Sequence, residues 1–216
     1  MSQSAKVSEI KEMLMKGKAK VVKTLVEEAV SEGVSVEEIL NDGLLAGMSE
    51  VGEKFKRNEV FVPEVMVAAR AMNMGMGVLE PLMTEGNYQP VGKAVIGTVH
   101  GDLHDIGKNL VGMMLKGAGF EVCDAGVDVT AEQFISKAEE IGADIIGMSA
   151  LLTTTMPYMK EVLDELNNRG LREKYIVMIG GAPVTQEFCD QIGADIYTSD
   201  AGSVATAAKQ AVLAKK

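Results

Sequence analysis

The stretch AVIGTVHGDLHDIGKN (residues 94–109) decides the fold of this chain. It opens with a short apolar run, passes through a loop rich in glycine and charge, and continues with helical spacing. Four more short apolar runs follow, with helical patterns between them: 121–124, 144–149, 175–179 and 195–198. Val/Ile-rich strands that alternate with helices predict a parallel sheet covered by helices on both faces. Ligands of such sheets bind beyond the carboxyl ends of the strands.

The residues before this region have a different, purely helical pattern. The spacing of apolar residues predicts four helices, at 5–17, 19–32, 35–55 and 63–84. Ser35 is a typical N-cap and is followed by acidic residues, while Pro63 suits the first turn of a helix. Four such helices favour a four-helix bundle.

The chain therefore divides into two predicted domains. Residues 85–92 are rich in turn-forming types and lack periodicity. We predict a helical domain at 1–86, a linker at 87–92 and an α/β domain at 93–216.

Composition narrows the class of protein. The chain has 216 residues, 47% of them apolar and 24% charged, with a net charge of −10. That balance is typical of a folded globular protein, and the negative charge argues against nucleic acid or membranes as partners. The first twenty residues contain no apolar signal-peptide core, and the two cysteines lie in no metal-binding or disulfide motif. We therefore expect a cytoplasmic protein.

The loop after the first predicted strand resembles a phosphate-binding loop only superficially. Five residues instead of four separate Gly101 from Gly107, and Asn109 stands where Ser or Thr would bind magnesium. Asp102 and Asp105 would also repel a phosphate. These departures argue against nucleotide binding.

A metal ligand is the better interpretation of this loop. A neutral imidazole at His104 is a good ligand, and the carboxylate of Asp102 can hold its second nitrogen. One ligand cannot form a closed zinc site. The pattern therefore favours a metal that arrives with most of its ligands attached, as in a macrocycle. The alternative is a His–Asp pair that only ties down the loop.

The later strand ends are lined by small and hydroxyl-bearing residues, at 147–155, 179–183 and 198–202. Paired glycines allow the backbone to approach a ligand closely. Together these ends favour an elongated, uncharged ligand. Ordinary loops with helix-capping Ser or Thr are the alternative.

Three elements occur in fixed order: Asp102-x-His104-x-x-Gly107, then Ser149-x-Leu151, then Gly180-Gly181. This pattern resembles the cobalamin-binding signature shared by methionine synthase and B12-dependent mutases. The whole chain is similar to the small corrinoid proteins of methanol, methylamine and quaternary-amine methyltransferase systems. The resemblance implies a helical bundle that caps the upper face of the corrin. It also implies a flavodoxin-like (Rossmann-like) domain, with a five-stranded parallel sheet, that binds the lower face and the nucleotide tail.

The resemblance also implies roles for single residues. His104 would replace the benzimidazole base as the lower axial ligand to cobalt, the base-off/His-on form. Asp102 would hydrogen-bond to His104, and Thr155, where methionine synthase has Ser, would continue that contact and help tune the ligand. The other implied cofactor-binding residues are Asp105, Gly107, Ser149, Leu151, Thr153, Gly180, Gly181 and Ala201. No role is implied for His100, which we expect to be a contact residue.

The segment from 61 to 82 resembles the third and fourth helices of the methionine synthase cap. Five methionines lie in or just beyond it: Met66, Met72, Met74, Met76 and Met83. They could offer a soft surface to the cofactor or form the core of the bundle, and Met72 and Met76 are spaced to share one stripe.

By this resemblance the protein is a non-catalytic methyl carrier. Its cobalt would accept a methyl group through a partner methyltransferase specific for a methylamine, methanol or a betaine. A second methyltransferase would pass the group to coenzyme M or tetrahydrofolate, and a reductive activation protein would be a further partner. The length and the GGAPVT segment (180–185) favour methylamine or quaternary-amine substrates. The alternatives are a B12-binding sensor or an isomerase, which would need an output domain or a substrate barrel that this sequence lacks.

Overall fold

The computed structural model describes residues 3–83 and 89–215. Contacts between Cα atoms divide the chain into two compact units, Met1–Gln89 and Pro90–Lys216. Residues 84–88 lie outside the described part, and with them the predicted domain boundary at 86 and the first two residues of the predicted linker. Val91 N–H donates to the Gly119 carbonyl, and the Gly92 carbonyl accepts from Glu121 N–H, both at 3.0 Å.

The first unit is helical, as predicted. Its elements are α1 (Gln3–Met15), α2 (Ala19–Ser31), α3 (Val36–Glu38), a π-helical segment (Ile39–Leu45), α4 (Ala46–Lys56) and α5 (Val62–Met83). The predicted third helix corresponds to α3, the π segment and α4 taken together. Ser35 is its N-cap and accepts a hydrogen bond from Glu38 N–H at 3.1 Å. The π segment was not predicted, because the apolar spacing alone does not distinguish it from an α-helix.

Two glycines explain how the third helix packs closely on α1. A Cβ added at Gly43 would lie 3.2 Å from Ile10 Cγ2, and one at Gly47 would lie 3.1 Å from Leu14 Cδ2. Ile10 and Leu14 are fully buried. Because residues 43 and 47 have no side chains, the two backbones can approach each other, and α1 side chains fill the space between them.

The methionines of α5 do not share one environment. Met72 is buried in the first unit, whereas Met66 and Met74 are exposed. Met76 and Met83 are half-buried. Only Met72 is therefore a core residue, and Met72 and Met76 do not form one uniformly buried stripe.

The second unit is an α/β fold with five strands. They are β1 (Lys93–Thr98), β2 (Glu121–Asp124), β3 (Ile145–Ser149), β4 (Ile176–Gly180) and β5 (Ile196–Tyr197). The helices are α6 (Ile106–Gly117), α7 (Ala131–Ile141), α8 (Pro157–Asn168), α9 (Gln186–Ile192) and α10 (Ala201–Lys215). All neighbouring strands are parallel, in the order β2-β1-β3-β4-β5. This order confirms the predicted flavodoxin-like, five-stranded parallel sheet.

The strand register brings the predicted signature together. Thr98 at the end of β1 pairs with Ser149 of β3, and Ser149 pairs with Gly180 of β4. Both faces of the sheet are covered by buried apolar side chains, around Phe134 and Leu163 on one face and Leu115 and Val212 on the other. Segments far apart in sequence therefore end side by side at one edge of a rigid core.

The pentapeptide Ile-Gly-Ala-Asp-Ile occurs twice, at 141–145 and 192–196, and has the same structure both times. In each copy the glycine has a left-handed backbone that ends a helix, with φ of 63° at Gly142 and 78° at Gly193. The aspartate then binds the neighbouring strand through its carboxylate and its backbone. The distances are 2.8 Å for Lys93 N–H to Asp144 Oδ2 and 2.6 Å for Val177 N–H to Asp195 Oδ2. Each copy joins a helix end to a strand start.

Among the described residues, none of the helices has both the length and the apolar character that a membrane span requires.

Candidate functional site

The loop between β1 and α6 holds a histidine and a buried aspartate in contact. His104 Nδ1 lies 2.7 Å from Asp102 Oδ1, and His104 N–H donates to the same oxygen at 3.0 Å. The loop turns at Gly101, whose φ of 77° is in the left-handed region. Thr98 Oγ1 donates to the His104 carbonyl at 2.9 Å. Asp102 is fully buried, whereas the His104 side chain is 53% exposed.

The second carboxylate oxygen of Asp102 is also fully engaged. Oδ2 accepts from Leu151 N–H at 2.8 Å, Leu152 N–H at 3.2 Å and the Thr155 hydroxyl at 2.8 Å. Burial alone would raise the pKa of Asp102, but the hydrogen bonds from His104, Leu151 and Thr155 together hold that pKa well below its usual range. Asp102 is therefore a buried, ionised acceptor.

This network determines which imidazole nitrogen can bind a ligand. Because ionised Asp102 accepts at Nδ1, the proton of neutral His104 belongs on Nδ1 and the lone pair on Nε2. Nowhere in the described residues do three or more His, Cys, Asp or Glu side chains form a group that could hold a metal ion. The arrangement of His104 and Asp102 thus leaves one imidazole nitrogen, Nε2, open to a ligand.

Replacing Asp102 by asparagine is expected to lower stability and to change its pH dependence. At pH 7 the loss is about 1–3 kcal/mol, because an amide presents one acceptor oxygen where two are needed. A lowered pKa in the folded state means that Asp102 stabilises the fold above about pH 4 and that this contribution is lost at lower pH. Between about pH 5 and pH 3, the free energy of unfolding of wild type, measured with denaturant, should therefore fall more steeply than that of Asp102→Asn. Asp105→Asn, in the same loop, is the control. Parallel plots of unfolding free energy against pH for wild type and Asp102→Asn would contradict the prediction.

A cavity of about 250 Å³ lies at the carboxyl ends of the strands, beside the first turns of α6 and α10. Its walls combine apolar side chains with small and hydroxyl-bearing residues. The predicted site residues that line it are Gly107, Ser149, Gly180, Gly181 and Ala201. Its size suits one flat ring system.

The paired glycines have different reasons to lack a side chain. A Cβ at Gly181 would lie 1.8 Å from the Ala150 carbonyl oxygen, and its φ is 133°. A Cβ at Gly180 would meet nothing within 4 Å. Gly181 is therefore required by the backbone, whereas Gly180 keeps space open in the cavity.

Three predicted site residues lie elsewhere around the loop. Thr153 is in the exposed turn after β3 and does not line the cavity. Leu151 reaches Asp102 only through its N–H, because its side chain is largely exposed. Asp105 is the N-cap residue of α6, and its carboxylate accepts from Asn109 Nδ2 at 3.0 Å.

Sequence reasoning missed Lys108, which also lines the cavity. Its side chain is nearly buried and forms an ion pair with Asp124, at the end of β2. Its ammonium group also donates to Asn109 Oδ1 at 2.8 Å. A lysine in the first turn of a helix gives no sequence signal of burial, since its partner is on another strand.

His100 has a defined partner. Its Nδ1 lies 2.7 Å from Asp128 Oδ1, and its ring packs edge-on against Tyr158 with centroids 5.0 Å apart. The structure thus places His100 in a contact role, as expected, in a pair separate from that of His104.

Large apolar side chains are exposed at both ends of the His104 loop and in the turn after β3. Leu103 is 71% and Ile106 77% exposed, and Leu151 and Leu152 are also exposed. Exposed apolar side chains clustered around a polar group mark a binding surface. The exposed apolar residues near His104 in sequence and in the turn after β3 therefore indicate a binding surface for an apolar ligand.

Comparison with known proteins defines the class of protein to which this chain belongs. Two models described as "B12 binding domain" match the chain, one over residues 92–208 and the other over residues 7–80. Both compact units are thus of types found in cobalamin-binding proteins.

The relatives extend over nearly the whole chain. The dimethylamine corrinoid protein of Methanosarcina barkeri is 46% identical over 211 residues, 97% of this chain and 99% of that protein. Among solved structures, the methanol:cobalamin methyltransferase complex of M. barkeri contains a chain with a TM-score of 0.87 and 29% identity, covering 97% of this chain and 80% of that one. The M. barkeri monomethylamine corrinoid protein has a TM-score of 0.55 and 36% identity, covering 94% and 96%. The chain belongs to the corrinoid protein family.

Proposed function

We propose that this protein is a corrinoid methyl carrier of a methyltransferase system. The observation that carries the proposal is the exposed imidazole of His104, held at Nδ1 by buried Asp102 beside a cavity with paired glycines. This supports a site with one axial nitrogen and a separate slot for an elongated tail.

The residues present fit a corrinoid bound in the base-off/His-on form. His104 Nε2 would be the lower axial ligand to cobalt. The cavity lined by Ser149, Gly180 and Gly181 would take the nucleotide tail, whose displaced base is a flat ring system. When bound, the corrinoid would supply a metal centre that accepts a methyl group and gives it up again.

The chain's own groups would control the axial nitrogen. Asp102 holds a proton at Nδ1 and fixes the plane of the ring, and Thr155 donates to the other oxygen of the same carboxylate. A firmly oriented, more basic imidazole is a better ligand.

The relatives support the choice of partners and substrate class. One is named a dimethylamine corrinoid protein, and another belongs to a methanol:cobalamin methyltransferase complex. We infer that this chain receives methyl groups from a methylamine through a substrate-specific methyltransferase and leaves catalysis to that partner. A second methyltransferase acting on coenzyme M or tetrahydrofolate would remove the group, and a reductive activation protein would restore the reduced cobalt.

Methyl transfer to the purified protein tests this proposal. Protein loaded with cobalamin and reduced is mixed with dimethylamine, with and without the methyltransferase obtained by pull-down from its host. The methylated-corrinoid spectrum should form only when both dimethylamine and the methyltransferase are present. Methylation without the methyltransferase would contradict a pure carrier role. Release of the cofactor by light, with no methyl transfer under any condition, would favour a sensor.

A further inference from the structure

A second His–Asp pair lies next to the loop that carries His104. Asp128 Oδ1 is 2.7 Å from His100 Nδ1 and also accepts from Gly101 N–H at 2.7 Å. Asp128 comes from the segment between β2 and α7, far from the loop in sequence. One carboxylate oxygen therefore binds two successive residues of the loop.

The contact is reciprocal along the backbone. Asp128 N–H donates to the carbonyl of Asp102 at 3.0 Å. Asp128 thus accepts from the residue before Asp102 and donates to Asp102 itself. These three hydrogen bonds, which we call the Asp128 clasp, hold His100, Gly101 and Asp102 to the segment between β2 and α7.

The backbone of Asp128 shows that the clasp is specifically built. Its φ is 56°, in the left-handed region that residues other than glycine rarely adopt, and this backbone conformation costs free energy. The N–H of Gly101 lowers the pKa of Asp128 most, against a smaller opposing effect of burial, and His100 lowers it further. The carboxylate is therefore ionised and its hydrogen bonds are charge-assisted.

The loop is also held by the segment that follows β3. On its inner side, Asp102 is held by Thr155 and by the backbone after β3. A Cβ at Gly101 would lie 3.6 Å from Thr155 Cγ2 and 3.7 Å from Tyr158 Cε2, so the loop backbone packs closely over both. Asp102 is thus fixed through its side chain by the segment after β3 and through its backbone by Asp128.

We propose that Asp128, together with His100, is a positioning site for His104: the clasp fixes the backbone of Asp102, and Asp102 in turn directs the imidazole. This inference rests on the proposed role of His104 as axial ligand. Metal affinity falls when groups that orient a ligand are removed, by roughly 10- to 100-fold in other metal sites. Because the clasp acts on His104 only through Asp102, we expect its removal to weaken binding of the imidazole to the metal by about tenfold.

The decisive variant is Asp128→Gly, since glycine adopts the positive φ without strain and removes only the carboxylate. Asn58→Gly is the matched control, because Asn58 has a φ of 58° in the helical unit. Asp128→Asn keeps an oxygen acceptor and should restore most of the function. His100→Phe keeps the ring against Tyr158, removes one hydrogen bond and should have a partial effect.

Two measurements are expected to change. In the protein without cofactor, amide hydrogen exchange at Gly101 should accelerate at least about tenfold in Asp128→Gly, because its acceptor is gone. In protein loaded with cob(II)alamin, the nitrogen splitting of the cobalt electron-spin-resonance signal reports the axial imidazole. The ratio of His-bound to His-free cofactor should fall about tenfold in Asp128→Gly, with Asn58→Gly unchanged.

The outcomes separate this inference from the proposed function. If the nitrogen splitting is present in wild type and unchanged in Asp128→Gly, the positioning role is wrong and the axial role of His104 stands. If wild type shows no splitting, both are wrong. Should Asp128→Gly unfold, His100→Phe takes its place, and equal splitting in His100→Phe and wild type would overturn the clasp.

Discussion

The His104→Gly protein, loaded with cobalamin, is expected to lack the axial nitrogen signal and to bind the cofactor at least about 100-fold more weakly than wild type. The imidazole of His104 is positioned to donate the lone pair of Nε2, since its Nδ1 is held by Asp102. Glycine removes the ligand and leaves space next to Asp102. The absorption and electron-spin-resonance spectra of the loaded variant measure the first effect, and titration with cobalamin measures the second.

Two controls distinguish ligand loss from loop damage. Leu103→Gly introduces a glycine at the neighbouring, exposed position and keeps the imidazole, so it should retain the nitrogen signal. Imidazole added to His104→Gly should restore much of the signal, because it can occupy the vacated space. A His104→Gly spectrum identical to that of wild type would show that the axial-ligand assignment is wrong.

The second large effect is expected from filling the cavity. Gly180→Leu adds a side chain at a position where a Cβ meets no neighbour, so the fold should be retained. An aromatic tail base would bury roughly 150–250 Å², about 4–6 kcal/mol of apolar transfer free energy. Excluding it should weaken cobalamin binding by at least about 100-fold. Equilibrium binding together with thermal unfolding checks both expectations.

The comparison variants make the result specific to the cavity. Thr206→Leu adds the same side chain at an exposed position on α10 and should bind cobalamin normally. Cobinamide, a corrinoid that lacks the nucleotide tail, should bind Gly180→Leu and wild type equally. Gly181→Ala should instead lower stability, because its Cβ overlaps the Ala150 carbonyl. Normal cobalamin affinity in Gly180→Leu would mean that the tail lies elsewhere.

The fold could be predicted because its signals are local. Each strand of the sheet is a short apolar run, and the helices between them show regular apolar spacing, so element type follows from neighbouring residues. The Asp102–His104 pair was also accessible, since two residues in one short loop that turns at a glycine can meet without knowledge of the rest of the chain.

Two details could not be predicted because they depend on contacts between distant segments. Lys108 is buried because Asp124 lies across from it, and His100 is held by Asp128, which gives no sequence signal of its left-handed backbone. Thr153 was placed by pattern alone, and the turn after β3 directs it to solvent. Sequence spacing does not report which way a residue of an irregular loop points.

The repeated Ile-Gly-Ala-Asp-Ile segments have a consequence for engineering this scaffold. Asp144 and Asp195 fix the sheet at the amino ends of β3 and β5, opposite the ends where the histidine and the cavity lie. These two anchoring contacts are thus at the edge of the sheet opposite the proposed ligand contacts. If the proposed site is right, we expect an exchange of loops at the carboxyl edge between relatives to change cofactor or partner preference, provided that both anchoring segments are retained. Substitutions at either anchor should instead change how much folded protein accumulates in the cell, with no change in the corrinoid affinity of the folded fraction.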